Sequence, residues 1–428
     1  MNRHLIHFLL KGLVRDRNRS LFPLIVITLG VMLGVVTYCF MHGVIDETIR
    51  SNAKLSTGHV KITTRGYRAL ASQVPNDLGI VGLDRLLAAL DRGYPRMEWT
   101  PRIKFGGLLD IPDESGETRA QGPAIGLAFD LLGEDSREAE RLNLERAIQE
   151  GEMPQSQGEI LVSEDFAERL GAGVGETATI ISSTANGAMA VENFTIAGTI
   201  RFGIGPLDRN TVIADLADVQ YALDMENSAG EVLGFFPNMV YDREAADSLA
   251  SSFNMARSQP GDDLSPVMMT LREQNGLGEY LNMVGFWVSL ILLVFFFVMS
   301  VVLWNAGLMS GIRRYGEIGV RLAIGESKDR LYLSMLSESV LIGIAGSVLG
   351  TFLGLTVSYY LQEKGLDISS MTKGSDVIMA NIIRARITPV SYYIGFIPGL
   401  LATLLGTAIS GISIFKRQTA QLFKELEN

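Results

Sequence analysis

Only one cysteine, Cys39, stands among 428 residues. An intrachain disulfide is therefore excluded, as is a metal site built on cysteines, and a small packing role inside an apolar run is expected for it. Histidine is almost as scarce. His4, His7, His42 and His59 show no ligand spacing with acidic neighbours, so no metal site is expected. Catalytic signatures are missing as well. The chain contains no G-x-x-x-x-G-K-[ST], no H-E-x-x-H and no G-x-S-x-G, which leaves it without a P-loop for ATP, a zinc-peptidase helix or a nucleophile elbow. The glycine-rich "GAGVGE" (171–176) and "GIGPLD" (203–208) lack a strand-to-helix setting and read as turns. Charge, too, is absent from long stretches: neither 281–312 nor 339–361 holds an Asp, Glu, Lys or Arg.

What is present is apolar length. The chain is 47% apolar, with a mean hydropathy of +0.23. A bilayer core of about 30 Å takes about 20 apolar helical residues. Four segments reach that length: 21–41, 281–309, 331–361 and 387–415. The first follows a basic start, yet its run exceeds a signal-peptide core and no small-x-small cleavage site follows it, so it is read as a retained anchor.

Charge then orients these spans. Segments 1–20, 313–330 and 416–428 are basic, whereas 42–280 carries 20 Lys/Arg against 37 Asp/Glu. Basic short segments stay in the cytoplasm, while long domains cross largely regardless of charge. The expected layout is a cytoplasmic amphipathic helix (1–20), a first span (21–42), an outer domain (43–280) and a second span (281–312). A cytoplasmic helix (313–330), a third span (331–361), an outer loop (362–386), a fourth span (387–415) and a cytoplasmic tail (416–428) follow. In the first segment Leu5, Phe8, Leu9 and Leu13 share one face, as in an interfacial helix.

The outer domain mixes patterns. "GHVKITTR" alternates like a strand, and Leu83, Leu86, Leu87 and Leu90 share a helical face. "EDFAERLGAGVGETATIISS" reads as helix, turn and strand, "ENFTIAGTIRFG" as a strand and "IADLADVQYALDM" as a helix. Without a sustained βαβ rhythm the class is α+β. The acids crowding 130–168 alternate with Arg and read as a solvated surface. So acidic a domain would repel phosphate, and nucleic acid is not an expected partner.

The segment "RRYGEIGVRLAIGESKDR" (313–330) holds eight charged residues between two uncharged spans. On a helix, Ile318 stacks with Leu322, Glu317 pairs acid-first with Arg321, and Gly325 offers a stop. Joined to two spans, such a helix suits a grip by a cytoplasmic partner.

With its continuation to position 354, this segment resembles the signature of FtsX-like ABC permeases, the MacB–LolC/LolE (type VII) family. Arg314, Glu317, Ile318, Gly319, Arg321, Ala323, Gly325, Glu338, Gly346, Gly350 and Gly354 fall on that pattern. "STGHVKI" (56–62) and "GEILVSEDFAERLGAGVGETATI" (158–180) resemble pieces of the family's outer domain. The resemblance implies four transmembrane helices in a 1+3 arrangement with a large α+β MacB-like periplasmic core domain, in a bacterial inner membrane. It implies that Arg314, Glu317, Ile318, Arg321, Leu322 and Gly325 couple to a cytoplasmic ABC ATPase dimer. ATP and Mg²⁺ would then bind on that partner, with no cofactor in this chain and no enzymatic activity of its own. A second permease chain, membrane lipid and a periplasmic carrier or adaptor are the other implied partners. The implied work is mechanotransmission: extraction of lipoproteins or other amphiphiles from the membrane. MacB-like efflux through an adaptor and outer-membrane duct is the alternative, with an FtsX-like regulator of a cell-wall hydrolase behind it, disfavoured by the large outer domain.

Glu338, costly within a membrane, is expected to anchor the coupling helix near the cytoplasmic side. Gly346, Gly350 and Gly354 allow close helix approach, within the chain or between chains. In the lipoprotein-release family one permease carries a Pro-containing hook that recruits a carrier. The matching stretch, "STANGAMAVE" (183–192), is short and lacks Pro, and Asn186-Gly187, both of which tolerate positive φ, signals a tight turn, so a plain hairpin is expected in place of a hook.

Overall fold

The computed structural model describes residues 17–203, 205–313, 315–367 and 382–416, and at some of these, Glu317 and Ile318 included, the backbone alone. The expected amphipathic helix at 1–20 and tail at 416–428 therefore lie almost wholly outside the described residues. The chain divides into two compact units, one formed by residues up to Asp46, Asn282–Leu366 and from Ile383, the other by Glu47–Leu281 with Asp367–Ile382.

The first unit is helical. Among the described residues four helices are long and apolar enough to cross a membrane. We label the helices α1 (Arg17–Asn52), α2 (Leu277–Arg313), α3 (Tyr315–Ala323), α4 (Lys328–Lys364) and α5 (Phe396–Lys416). α1, α2 and α4 each exceed their apolar stretch. α1 continues through Asp46, Glu47 and Arg50 because a polar helical face outside the bilayer costs nothing in backbone hydrogen bonds. α5, by contrast, begins later than its apolar composition suggests. Thr388 caps a 3₁₀ turn with Pro389 at its first position, and the α-helix starts only at Phe396. The core of this unit joins Ile27, Val31, Val35, Tyr38 and Cys39 of α1 with Leu292 and Met299 of α2, so the lone cysteine does have a packing role.

The second unit is an α+β domain. Its strands are β1 (Val60–Thr64), β2 (Ile80–Val81), β3 (Glu98–Pro112), β4 (Thr118–Phe129), β5 (Ile148–Gly151), β6 (Glu159–Ser163), β7 (Thr177–Ser183), β8 (Met189–Ile200), β9 (Thr211–Asp215), β10 (Ser228–Ala229), β11 (Glu231–Phe235) and β12 (Pro266–Thr270). Ten of them form one sheet, and its hydrogen-bonded path closes on itself through β3, β4, β9, β6, β8 and β7, because β7 pairs with both β8 and β3. The β4–β9 and β6–β8 pairs are parallel and the rest of the ring is antiparallel. Phe166 and Leu170 of the helix Glu164–Leu170, with Leu216 and Val219 of Leu216–Ala222, join the buried core of this ring. The second of these helices is shorter than the sequence pattern suggested. Ile213 to Asp215 finish β9, and the Asp215 carboxylate accepts from Ala217 N–H as the helix cap, a competition that side-chain capping favours.

β3 belongs to two neighbourhoods. Glu98–Arg102 pairs with β11, whereas Ile103 onward pairs with β4. Beyond β11 lie β1 and β12, and a separate core there packs Val60, Ile62 and Val232 under the helices Leu83–Gly93 and Arg243–Arg257. Arg102 thus stands where the shared strand passes from one neighbourhood to the other.

Candidate functional site

The short charged segment between the second and third spans folds as α3. It ends in a Schellman motif. Gly325 takes φ +98°, its N–H donates to Leu322 O, and Glu326 N–H donates to Arg321 O. A side chain at Gly325 would be strained, which explains glycine there. Leu322 packs against Leu331 and Met335 at the start of α4, fixing α3 to the helix that follows. Arg321 is half-buried. Arg314 and the side chains of Glu317 and Ile318 are outside the described residues. Glu338 is half-buried on α4, one residue before the buried Ser339.

The three spaced glycines of α4 lie against α1 of the same chain. A Cβ on Gly346 would sit 2.6 Å from Ile27 Cγ2, one on Gly350 2.6 Å from the Thr28 carbonyl oxygen, and one on Gly354 2.9 Å from Val35 Cβ. The expectation left open an intrachain or an interchain contact, and the contact observed is intrachain. The residue before α5 approaches similarly, Gly395 lying near Val31 and Thr351. Just before α5, Arg386 N–H donates to Cys39 O, its guanidinium pairs with Asp46, and the Cys39 thiol donates to Ser391 Oγ. The stretch 384–391 is thereby fastened along the end of α1.

A second constellation was not legible as a site. α1 is followed by a π turn, Ala53–Thr57, which closes with Gly58 N–H donating to Ala53 O. The next carbonyls have no helical donor. Arg102, 1% exposed, donates from Nη1 to Leu55 O and from Nη2 to Lys54 O, both at 2.8 Å, and from Nε to Glu138 at 2.8 Å. Its guanidinium also lies 4.7 Å from the Phe129 ring centroid. Glu138 is 1% exposed and pairs with Arg141, which bridges to Glu98. The expectation that the acids of 130–168 form a solvated face therefore fails at Glu138. Its partner comes from β3, too distant in sequence for any periodicity to reveal. Thr57 O, the last carbonyl of the π turn, accepts from Gln274 Nε2 at 3.0 Å.

Beside this cap, Glu231 is clasped by Lys61 at 2.6 Å and Lys104 at 2.8 Å. Burial pushes the Glu231 carboxyl upward, but the two lysines outweigh it and hold it at about 2. Burial lowers Lys61 to about 8 and Arg102 to about 9, with Glu231 opposing both. All three groups are charged at neutral pH. A Lys inside "GHVKITTR" was the one available signal for this cluster. His59 is fully buried; its Nδ1 accepts from Phe236 N–H at 2.8 Å, and its ring stacks on Phe236. Burial, then Arg50 and Arg141, depress its pKa to about 4.

The hairpin between β7 and β8 turns at Ala185-Asn186-Gly187. Thr184 N–H donates to Ala188 O and Gly187 N–H to Thr184 O. Among the turn residues Gly187 takes positive φ, +81°, so the tight turn expected at Asn186-Gly187 is a three-residue one with glycine in the left-handed position. Ala185 N–H donates to Leu223 O, which ties the turn down onto the domain.

This architecture coincides with two known families. Residues 20–273 match the MacB-like periplasmic core domain, and residues 289–419 match the FtsX-like permease C-terminal family. The chain belongs to the MacB/FtsX-type permease family. It is similar to the "Macrolide export ATP-binding/permease protein MacB" of Bordetella avium, 28% identical over 28% of this chain and 18% of that protein. It is also similar to the protein of the same name from Bdellovibrio bacteriovorus, 27% identical over 44% of this chain and 30% of that one. The matches therefore span less than a third of those relatives' length. A crystal structure of the periplasmic region of MacB from Actinobacillus actinomycetemcomitans covers 52% of this chain and 94% of its own, at 11% identity and a TM-score of 0.36. As an ABC-type permease of this family, the chain is a bacterial inner-membrane protein.

Proposed function

We propose that this chain is the permease of an ABC exporter that moves an amphiphilic cargo outward from the inner membrane, using ATP hydrolysed by a cytoplasmic ABC ATPase. The observation that carries this reading is the path of α1. One helix holds a membrane-length apolar stretch, packs on the glycines of α4, and runs into a π turn whose carbonyls are gripped by buried side chains of the outer domain. An ATPase pair closing on α3 would move α4, and with it α1. Movement would then reach the outer domain without a continuous pore. In this reading both termini and α3 are cytoplasmic, two permease chains act together, and an adaptor or carrier receives the cargo outside.

The similarity to two macrolide-export proteins favours a small amphiphile as cargo. Release of lipoproteins is the second reading, supported by the same family architecture. The short turn at Ala185-Asn186-Gly187, held to Leu223, speaks against this chain recruiting a carrier through that hairpin. Purification of the detergent-extracted complex is the test. An ABC ATPase should co-purify, together with a bound amphiphile identifiable by mass spectrometry. Recovery of the chain with a cell-wall hydrolase and no cargo would overturn the proposal.

A further inference from the structure

The π turn after α1 leaves backbone acceptors that the helix cannot satisfy. Gly58 N–H reaches back to Ala53 O at 2.9 Å, and His59 N–H is diverted to Gly234 O of β11. Lys54 O and Leu55 O thus face outward from the helix, at its negative dipole end. A planar guanidinium has the fork geometry to take both and still reach a carboxylate, which a lysine does not. Arg102 does so with three nitrogens. The exit is sharp because Gly58 adopts φ +59°, where an added Cβ would also meet Val60 O at 2.6 Å. Thr57 O is taken by Gln274 Nε2, which also donates to Thr270 O. Gln274 is 4% exposed, and its own carbonyl accepts from Leu277 N–H, the first residue of α2. Leu271 N–H donates to His59 O. A buried ion pair such as Arg102–Glu138 gives little net stability over apolar residues of similar volume, so stability alone is a poor reason for its presence.

We infer that Arg102 and Gln274 are positioning residues that hold the carbonyls of the π turn at the end of the first membrane helix, Arg102 tying them to β3 and Glu138 and Gln274 to the residues that open the second membrane helix. The π turn is thereby kept from acting as a loose swivel. The lock itself is a property of the outer domain. Its use in passing on ATP-driven movement rests on the transport reading above.

The test uses the full chain in nanodiscs, with Cys39→Ala and spin labels at positions 51 and 85, both within the unit that holds the π turn. The distance distribution is recorded without nucleotide. The double variant Arg102→Met/Glu138→Leu removes both buried charges together, so the fold is retained, and Gln274→Met removes the second donor. Each should broaden the distribution about twofold, since losing charge-assisted or buried donors frees the helix end. Glu138→Gln, which keeps both carbonyl bonds, should leave it narrow even where it lowers the melting temperature. An unchanged distribution in both Arg102→Met/Glu138→Leu and Gln274→Met overturns the lock. Failure of the transport reading would show separately, as a parent distribution that ignores ATP when the ABC ATPase is bound.

Discussion

Gly350 rests against the backbone of Thr28: a Cβ on the glycine would come within 2.6 Å of that carbonyl oxygen. Two membrane helices therefore meet backbone to backbone, with Gly346 and Gly354 continuing the seam. In lipid, where apolar side chains gain little by leaving the tails, such close approach supplies the packing energy.

Gly350→Ala should destabilise the detergent-solubilised chain by about 1–3 kcal/mol, because the backbone oxygen cannot yield. Gly285→Ala on α2 is the control. Nothing lies within 4 Å of its added Cβ, so it should be neutral or stabilise by about 0.5–1 kcal/mol through helix propensity alone. Thermal melts of both variants check this; equal shifts would mean that the seam does not hold the helices.

Fastening of the 384–391 stretch along α1 should depend on backbone fit more than on its ion pair. Arg386 and Asp46 have side chains 45% and 26% exposed, and exposed pairs are worth about 0–1 kcal/mol. Arg386→Gln should therefore change stability little. Gly43→Ala should cost more, since its Cβ would run into the Arg384 carbonyl.

His59 makes stability pH-dependent. Its folded pKa is about 4 against 6.5 for the free side chain, so the unfolded chain binds the proton first. Stability is full above pH 6.5 and falls as pH drops toward 4, by on the order of 2 kcal/mol. His59→Asn, whose amide oxygen can still accept from Phe236 N–H, should flatten that slope. Melting temperatures at pH 7.5 and pH 4.5 decide the matter, and an equal drop in both proteins would assign the effect elsewhere.

Orientation can be checked by thiol labelling in a Cys39→Ala background. Ser115→Cys, in the exposed turn between β3 and β4, should react with a membrane-impermeant reagent added to cells. Lys328→Cys, at the start of α4, should not. Reaction at position 328 would reverse the assigned topology.

The spans were legible in the sequence because a run such as 281–312 has no soluble alternative of that length. Their ends were not. Where α1 leaves the bilayer its pattern turns polar but stays helical, and where α5 begins, Thr388 and Pro389 impose a different turn inside an apolar stretch. The charged segment 313–330 was visible from its charge and from Gly325. The cap on the π turn was invisible, because Arg102, Glu138 and Gln274 come together only once β3 has crossed between the two halves of the outer domain. Composition shows charge, and the fold decides which charges are buried.

We propose that ATP hydrolysis by an ABC ATPase gripping α3 drives an amphiphile out of the membrane. The most direct test is reconstitution of the chain and its ABC ATPase in proteoliposomes holding a fluorescent amphiphile, with release to an external acceptor as readout. The account predicts release that requires hydrolysable ATP and is lost in Glu317→Lys and Arg321→Glu variants that still fold. Full release by both variants would contradict it, as would steady ATP hydrolysis by the parent complex with the amphiphile left in the bilayer.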